Sequence, residues 1–494
     1  MKKVWFRLYD KPNILLIQTD QHNPHIAGYA GNPAVQTQHL DRLAEGGVSF
    51  DAAYCQTPLC TPSRLSMLTG RWASNCGGWA NSVVRDPGQE TIPSWLSKHG
   101  YVTCMVGKMH INGGDQTHGY QYRPYGDLAS VTFPAHQPDP PESADGRWND
   151  HSVGRFPFTG PTRIPESLTM DQVVTTESLA WLLEHTDEHA EQPWFFHASY
   201  PRPHFPLTAP GRYVRRYLDS DLETPPTPGD FPDGLHPHDR FTVEDFNLLK
   251  FSPEEHRRAV ACYYACVDYV DDCIGSLVEG LGRAGCLDNT YVVYTSDHGD
   301  MAGEHGLWWK RTYYEGSARV PLLVTGPGIG KQERDRTPVE LVDLFPTFCD
   351  WAGVDAPEGL DGESLAPLLN GEDARRQKRI ARSEMLGPNP AQQFRMVFDG
   401  RWKYVDFPTS KSRLFDLATD PEELTDLASD PPSEAPVADL VAEVERIGTW
   451  DELNAQRESD TAARPKPETP PMKAAVQYRL ADGRVVPADG ELYK

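Results

Sequence analysis

Asn13-Ile14-Leu15-Leu16-Ile17-Gln18-Thr19-Asp20-Gln21-His22 decides the fold. The apolar run is continuous rather than alternating, which fits a strand buried on both faces of a parallel sheet. It ends on a carboxylate. In open α/β sheets ligands bind beyond the carboxyl ends of the strands, so Asp20 and Gln21 stand where a site is expected. Taken alone, Asp20 is also readable, as the lesser alternative, as a cap on the next loop.

The same pattern recurs along the chain. Tyr101 to Val106 reads as a buried strand that runs into Gly107-Lys108-Met109-His110. Pro193 to Tyr200 runs into Pro201-Arg202-Pro203-His204-Phe205-Pro206, where flanking prolines stiffen the backbone around His204. Thr290 to Thr295 delivers Ser296-Asp297-His298-Gly299-Asp300, with Lys310 a little downstream and Val320 to Val324 as a fifth strand. A single Lys is usually a solvated charge and a single His usually structural; recurrence at strand exits carries the weight. Helical spacing over His39–Gly47, Ile92–His99, Met170–Thr186 and His256–Leu281 alternates with these strands. The expected fold is therefore α/β: a large, mostly parallel sheet flanked by helices.

After about Asn370 the pattern changes. Phe394–Phe398 and Arg401–Val405 flank an Asp399-Gly400 turn and read as a hairpin, followed by an Arg413–Leu417 strand and a Val437–Ile447 helix. This is a smaller α+β antiparallel piece. The expected division is a catalytic domain over 1–374, a C-terminal subdomain over 375–455 and an extended tail over 456–494, a candidate oligomer interface. Phe133 to Pro165, without periodicity, reads as a long loop on the substrate side.

Composition excludes several functions. With 47 basic and 71 acidic residues the formal charge is −24, which argues against nucleic acid and anionic membranes as partners. An anionic substrate must then be drawn in by a local cationic pocket. No apolar run is long enough for a membrane span, and the start lacks a signal-peptide core. Nine cysteines in no disulfide spacing point to reduced thiols and a cytoplasmic location; Cys262 and Cys266 lack a second pair to close a zinc site.

One cysteine stands apart. In Leu59-Cys60-Thr61-Pro62-Ser63-Arg64-Leu65-Ser66-Met67-Leu68-Thr69-Gly70-Arg71, Thr61 reads as a helix N-cap, Pro62 as the first helical residue and Gly70 as the stop. Cys60 would then sit at a positive helix mouth beside the Arg64 fork. The Cys-x-Pro-x-Arg pattern followed by Leu-Thr-Gly-Arg resembles the signature of sulfatases in the alkaline phosphatase superfamily, and the resemblance extends from Asn13 to about Leu427.

That resemblance implies roles. Cys60 would be oxidised by a formylglycine-generating enzyme, and the hydrated aldehyde would attack sulfur. Asp20, Gln21, Asp297 and His298 match the metal ligands. Arg64 and Lys108 match the cations around the nucleophile, with His110 nearby, and His204 and Lys310 match the pair around the sulfate and the leaving oxygen. Asn81, by subgroup resemblance, and Trp309, as a pocket aromatic, are candidates for substrate contact. Oxygen donors suit Ca²⁺, Mg²⁺ or Mn²⁺, and one imidazole tilts the set towards Mn²⁺. Many sulfatases have Asp where Gln21 stands and Asn where His298 stands; this combination is more similar to the choline sulfatase and phosphonate monoester hydrolase subgroup. The expected activity is hydrolysis of a small sulfate ester. A phosphonate monoester or phosphodiester hydrolase, and a non-catalytic anion- or sugar-binding member, are the alternatives.

Overall fold

The Asn13–Asp20 strand is an inner strand of an eight-stranded sheet. From edge to edge the strands are Glu333–Asp335, Val48–Phe50, Leu322–Thr325, Thr290–Ser296, Asn13–Asp20, Trp194–Pro203, Val102–Gly107 and Tyr122–Tyr125. All neighbours pair in parallel except Leu322–Thr325, which runs antiparallel to both of its partners. The computed structural model describes residues 11–113, 115–125, 159–162, 164–189, 191–222, 224–371 and 379–463, with the backbone of two short paired strands at 477–479 and 485–487.

The continuous apolar run has the expected cause: both faces of the sheet are covered. Ile14 and Leu16 join a core with Leu65, Leu68, Phe345 and Phe348 on one face. Leu15 and Ile17 join a second core with Val174, Val267 and Ile274 on the other. All four strand residues are fully buried, and each such side chain contributes about 1.5–3 kcal/mol of transfer free energy. The covering helices include Cys60–Thr69 and Leu344–Ala352 on the first face, and Met170–Glu188 and Pro253–Arg283 on the second.

Four adjacent parallel strands end in polar residues on one edge. Thr290–Ser296, Asn13–Asp20, Trp194–Pro203 and Val102–Gly107 are consecutive in the sheet, so Asp297, Asp20, His204 and Lys108 emerge side by side. The first strand has partners on both sides that come from later in the chain, which makes its exit a topological switch point.

The second unit is as expected. Ala381–Met385, Phe394–Phe398, Trp402–Asp406 and Arg413–Asp416 form a four-stranded antiparallel sheet, with the Val437–Glu445 helix packed on it through Leu440 and Val444. Gly400, at φ 102°, makes the Asp-Gly turn. The Trp450–Ala463 helix crosses position 456. Gln456 and Asp460 bond Ser74 and Trp79, so this stretch packs on the body. Of the tail beyond it, only the two short strands are described. Residues 133–158 of the expected long loop lie outside the described residues; farther along, Gly160–Pro161 pairs with Thr208–Ala209.

Candidate active site

The Cys60–Thr69 helix begins at the cysteine itself. Leu59 is the N-cap residue and makes no side-chain cap, so Thr61 is not the cap that the sequence suggests but lies inside the first turn. The cap comes from elsewhere in the chain. Asn81 Oδ1 accepts from Thr61 N at 3.0 Å, doing for an orphan helix amide what a local Ser or Asp usually does. Gly70 closes the helix in the left-handed conformation at φ 65°.

Cys60 is fully buried and is surrounded by groups from distant elements. Lys310 Nζ donates to its sulfur at 3.0 Å, His298 Nε2 lies at 3.3 Å and Asp20 Oδ1 at 4.0 Å. His110 and His204 also act on the sulfur electrostatically. Burial alone would raise the thiol, but Lys310, Lys108 and His298 hold it well below its ordinary range.

Arg64 ties the site together. Its Nε donates to Asp297 Oδ2 at 2.8 Å and its Nη2 to Asp20 Oδ2 at 3.1 Å. Nη1 reaches Gln18 Oε1, Lys108 O and Ser199 Oγ. The guanidinium is therefore a fully buried clamp between two carboxylates and two strand ends. Lys108 Nζ adds a 2.6 Å ion pair to Asp20. Gly107 allows this turn: its φ is 106°, and a Cβ there would come within 2.0 Å of Ser199 O.

The two aspartates are driven apart electrostatically. Burial and the Cys60 sulfur would raise Asp20, but Lys108, His204 and Lys310 hold it well below the usual carboxylate range. Burial and the neighbouring Asp20 raise Asp297 instead. Burial opposes protonation of His298, and Asp297 outweighs it. His204 is pushed down to about 3 by burial and by Lys310 and Lys108, and its Nδ1 bonds Phe205 O at 2.7 Å.

A cation would fit here. Asp20, Cys60, Asp297 and His298 each bring a ligand atom within 4.8 Å of the others. Gln21 stands beside them, its backbone N–H on Asp297 Oδ1 at 3.0 Å. Its Oε1 is buried and has no hydrogen-bond partner among the described residues. Two carboxylates, an imidazole and an amide oxygen make a donor set for a hard or borderline divalent ion.

The structure thus brings together Asp20, Gln21, Cys60, Arg64, Lys108, His110, His204, Asp297, His298 and Lys310. Asn81 and Trp309 adjoin this group through other contacts. Asn81 uses its side-chain oxygen as the helix cap, and Trp309 is buried with its ring against Phe205 and Phe246. Residues without an expected role also appear: Gln18 and Ser199 orient Arg64, and Asp300 holds Gln21. Gln18 carried a signal, since a polar residue inside an apolar strand needs a buried partner.

A buried cysteine at a helix mouth, cations around it and a cluster of carboxylates and imidazole at the switch point of an α/β sheet make a site suited to an anionic ester, on an alkaline-phosphatase-type fold. The sulfatase family model matches residues 12–354, and the chain belongs to the sulfatase family. A model of the N-sulphoglucosamine sulphohydrolase C-terminal region matches residues 303–449. The chain is 33% identical over 421 residues to a choline-sulfatase of Rhizobium meliloti (strain 1021), covering 82% of this chain and 80% of that one. It is 30% identical over 432 residues to arylsulfatase K of Gallus gallus, covering 83% and 77%. A solved phosphonate monoester hydrolase from Silicibacter pomeroyi superposes with a TM-score of 0.73 at 25% identity, covering 97% and 99%. The chain is accordingly a sulfuric ester hydrolase.

Proposed function

We propose that the chain cleaves a small organic sulfate monoester through a formylglycine made from Cys60, with one divalent cation held by Asp20, Gln21, Asp297 and His298. The observation that carries this reading is the placement of Cys60, whose sulfur has Lys310, His298 and Asp20 around it within 4.0 Å. That sulfur stands where the oxygens of the hydrated aldehyde would be.

Once formed by a formylglycine-generating enzyme, the modified residue supplies one hydroxyl for attack on sulfur and a second for expelling sulfate. A cation held by these residues, Ca²⁺ or Mn²⁺ with Mg²⁺ as a third choice, would supply positive charge to the anionic reaction centre. The chain's own groups do the rest. Lys108 and Lys310 offer ammonium groups to the sulfate oxygens, and Arg64 holds both carboxylates in register. His204, neutral with its Nδ1–H on Phe205 O, presents Nε2 as a proton acceptor. Lys310 is then the better placed donor to the leaving oxygen.

A phosphonate monoester is the second substrate class, favoured by the Gln21 and His298 pair and by the Silicibacter pomeroyi structure. The nine cysteines form no disulfide and all are buried, which supports a cytoplasmic setting. No helix among the described residues is long and apolar enough to cross a membrane. The division near residue 375 and oligomerisation through the tail belong to the same reading. Parallel assays of an aryl sulfate and an aryl phosphonate monoester test the substrate class. The sulfate is expected to turn over faster, and faster phosphonate turnover would reverse the order.

A further inference from the structure

We propose that Asp300 is a positioning residue that fixes the Gln21 amide with its nitrogen held back and its oxygen presented to the cation. The inference rests on the reading of Gln21 as a metal ligand.

Asp300 is fully buried. Its Oδ1 accepts from Ala302 N at 2.7 Å and from Trp309 N at 3.0 Å, and its Oδ2 accepts from Gln21 Nε2. Gln21 thus turns its NH₂, and not its oxygen, to the Asp300 side chain. The other edge of the amide, Oε1, is the buried atom that has no hydrogen-bond partner among the described residues. Burying an amide oxygen without a partner carries its full desolvation cost, which a cation would offset. Because Trp309 N is bonded to the same carboxylate, Asp300 also holds the backbone next to Lys310. A ligand and the proposed acid are thus placed by one side chain.

The arrangement explains why an amide rather than a second carboxylate is suited to position 21. A carboxylate there would set an acceptor oxygen, rather than an N–H donor, against Asp300 Oδ2. It also dictates what Asp300→Asn would do. The two backbone N–H groups on Oδ1 require an oxygen there, so the new NH₂ must take the Oδ2 position. Gln21 would then turn its own oxygen to that NH₂ and its own NH₂ to the cation. Adding Gln21→Glu restores complementarity, since one oxygen of the new carboxylate can accept from the NH₂ introduced at position 300 while the other faces the cation.

The test is calorimetric titration of the metal-stripped full-length chain with Mn²⁺, alongside thermal melting with and without Mn²⁺. Asp300→Asn is expected to weaken Mn²⁺ binding about 10–100-fold, the range for a residue that orients a metal ligand. The Asp300→Asn/Gln21→Glu double variant is expected to recover most of that loss, which a merely structural role for Asp300 would not produce. If Gln21→Ala leaves the affinity unchanged, the ligand reading itself is wrong. If Gln21→Ala weakens binding but Asp300→Asn does not, or the double variant fails to recover it, the positioning role is wrong. Should the variants fold poorly, anomalous diffraction from wild-type crystals soaked in Mn²⁺ decides: the expected result is a cation bonded to Gln21 Oε1 with Nε2 on Asp300. A cation out of reach of Gln21, or an Asp300 turned away from it, overturns the proposal.

Discussion

Lys310 Nζ donates to the Cys60 sulfur across 3.0 Å, although the two residues are 250 positions apart in the chain. The ammonium leans over the Phe205 ring at 5.7 Å, and only about 6% of the lysine is exposed. A cation in that position can steady the nucleophile and then give a proton to the departing oxygen. Lys310→Met is therefore expected to lower kcat about 10²–10⁴-fold. The loss should shrink as the leaving group becomes more acidic. Steady-state kinetics over a series of aryl sulfates checks this; a loss independent of leaving group would remove Lys310 from the proton-transfer role.

Arg64 makes a different prediction, because it is locked between Asp20 and Asp297 rather than open to ligand. Arg64→Met leaves two buried carboxylates without their shared counter-ion, and breaking such a pair costs about 3–5 kcal/mol. Chemical denaturation in the presence of chelator is expected to show a loss of that size. A variant as stable as wild type, yet inactive, would make Arg64 a substrate-binding cation only.

The strand exits were legible because an uninterrupted apolar run that stops on polar residues is what a buried parallel strand must look like. Asp20, Lys108, His204 and Asp297 follow from that rule together with the resemblance. The N-cap was not legible: the group that caps the cysteine helix comes from Asn81, and Thr61, the local candidate, turns its hydroxyl to Asn81 O and His110 O instead. The part played by Asp300 was hidden for a similar reason. It lies in the same polar cluster as Asp297 and His298, and only tertiary contacts reveal that it faces Gln21. The antiparallel strand Leu322–Thr325 reads no differently from its parallel neighbours, since pairing direction leaves little trace in so short a segment.

A further prediction concerns the link between the two units. Lys403 Nζ, on the C-terminal sheet, bonds Glu315 Oε1 at 2.5 Å and Glu423 Oε1 at 2.7 Å, and all three residues are buried. Glu315 shortly follows Lys310 in the chain. Lys403→Met is expected to cost about 3–5 kcal/mol of stability. It should also lower kcat by loosening the segment that carries Lys310. Denaturation and kinetics on the same preparation check both effects; unchanged stability would show that the two carboxylates do not depend on the ammonium.

Stability should also depend on Glu384. Burial pushes its carboxyl up to about 7, and among the described residues only one of its oxygens has a partner, Ser74 N at 2.7 Å. The folded chain therefore holds this proton more tightly than the unfolded chain, whose carboxyl titrates near 4.5. The contribution is full below about 4.5 and is lost as pH rises to about 7, by roughly 3 kcal/mol in all. Glu384→Gln is expected to flatten that part of the stability profile between those limits. An unaltered slope in denaturation series across that range would contradict the assignment.

The central claim is that the encoded cysteine is not the working nucleophile. Mass analysis of the peptide containing residue 60, from a preparation whose aryl sulfate turnover has been measured, tests it directly. The expected result is a peptide in which the Cys60 thiol has been replaced by an aldehyde, in a fraction that tracks the specific activity across preparations. A preparation that turns over the aryl sulfate at full rate while residue 60 remains wholly an unmodified thiol would contradict the account.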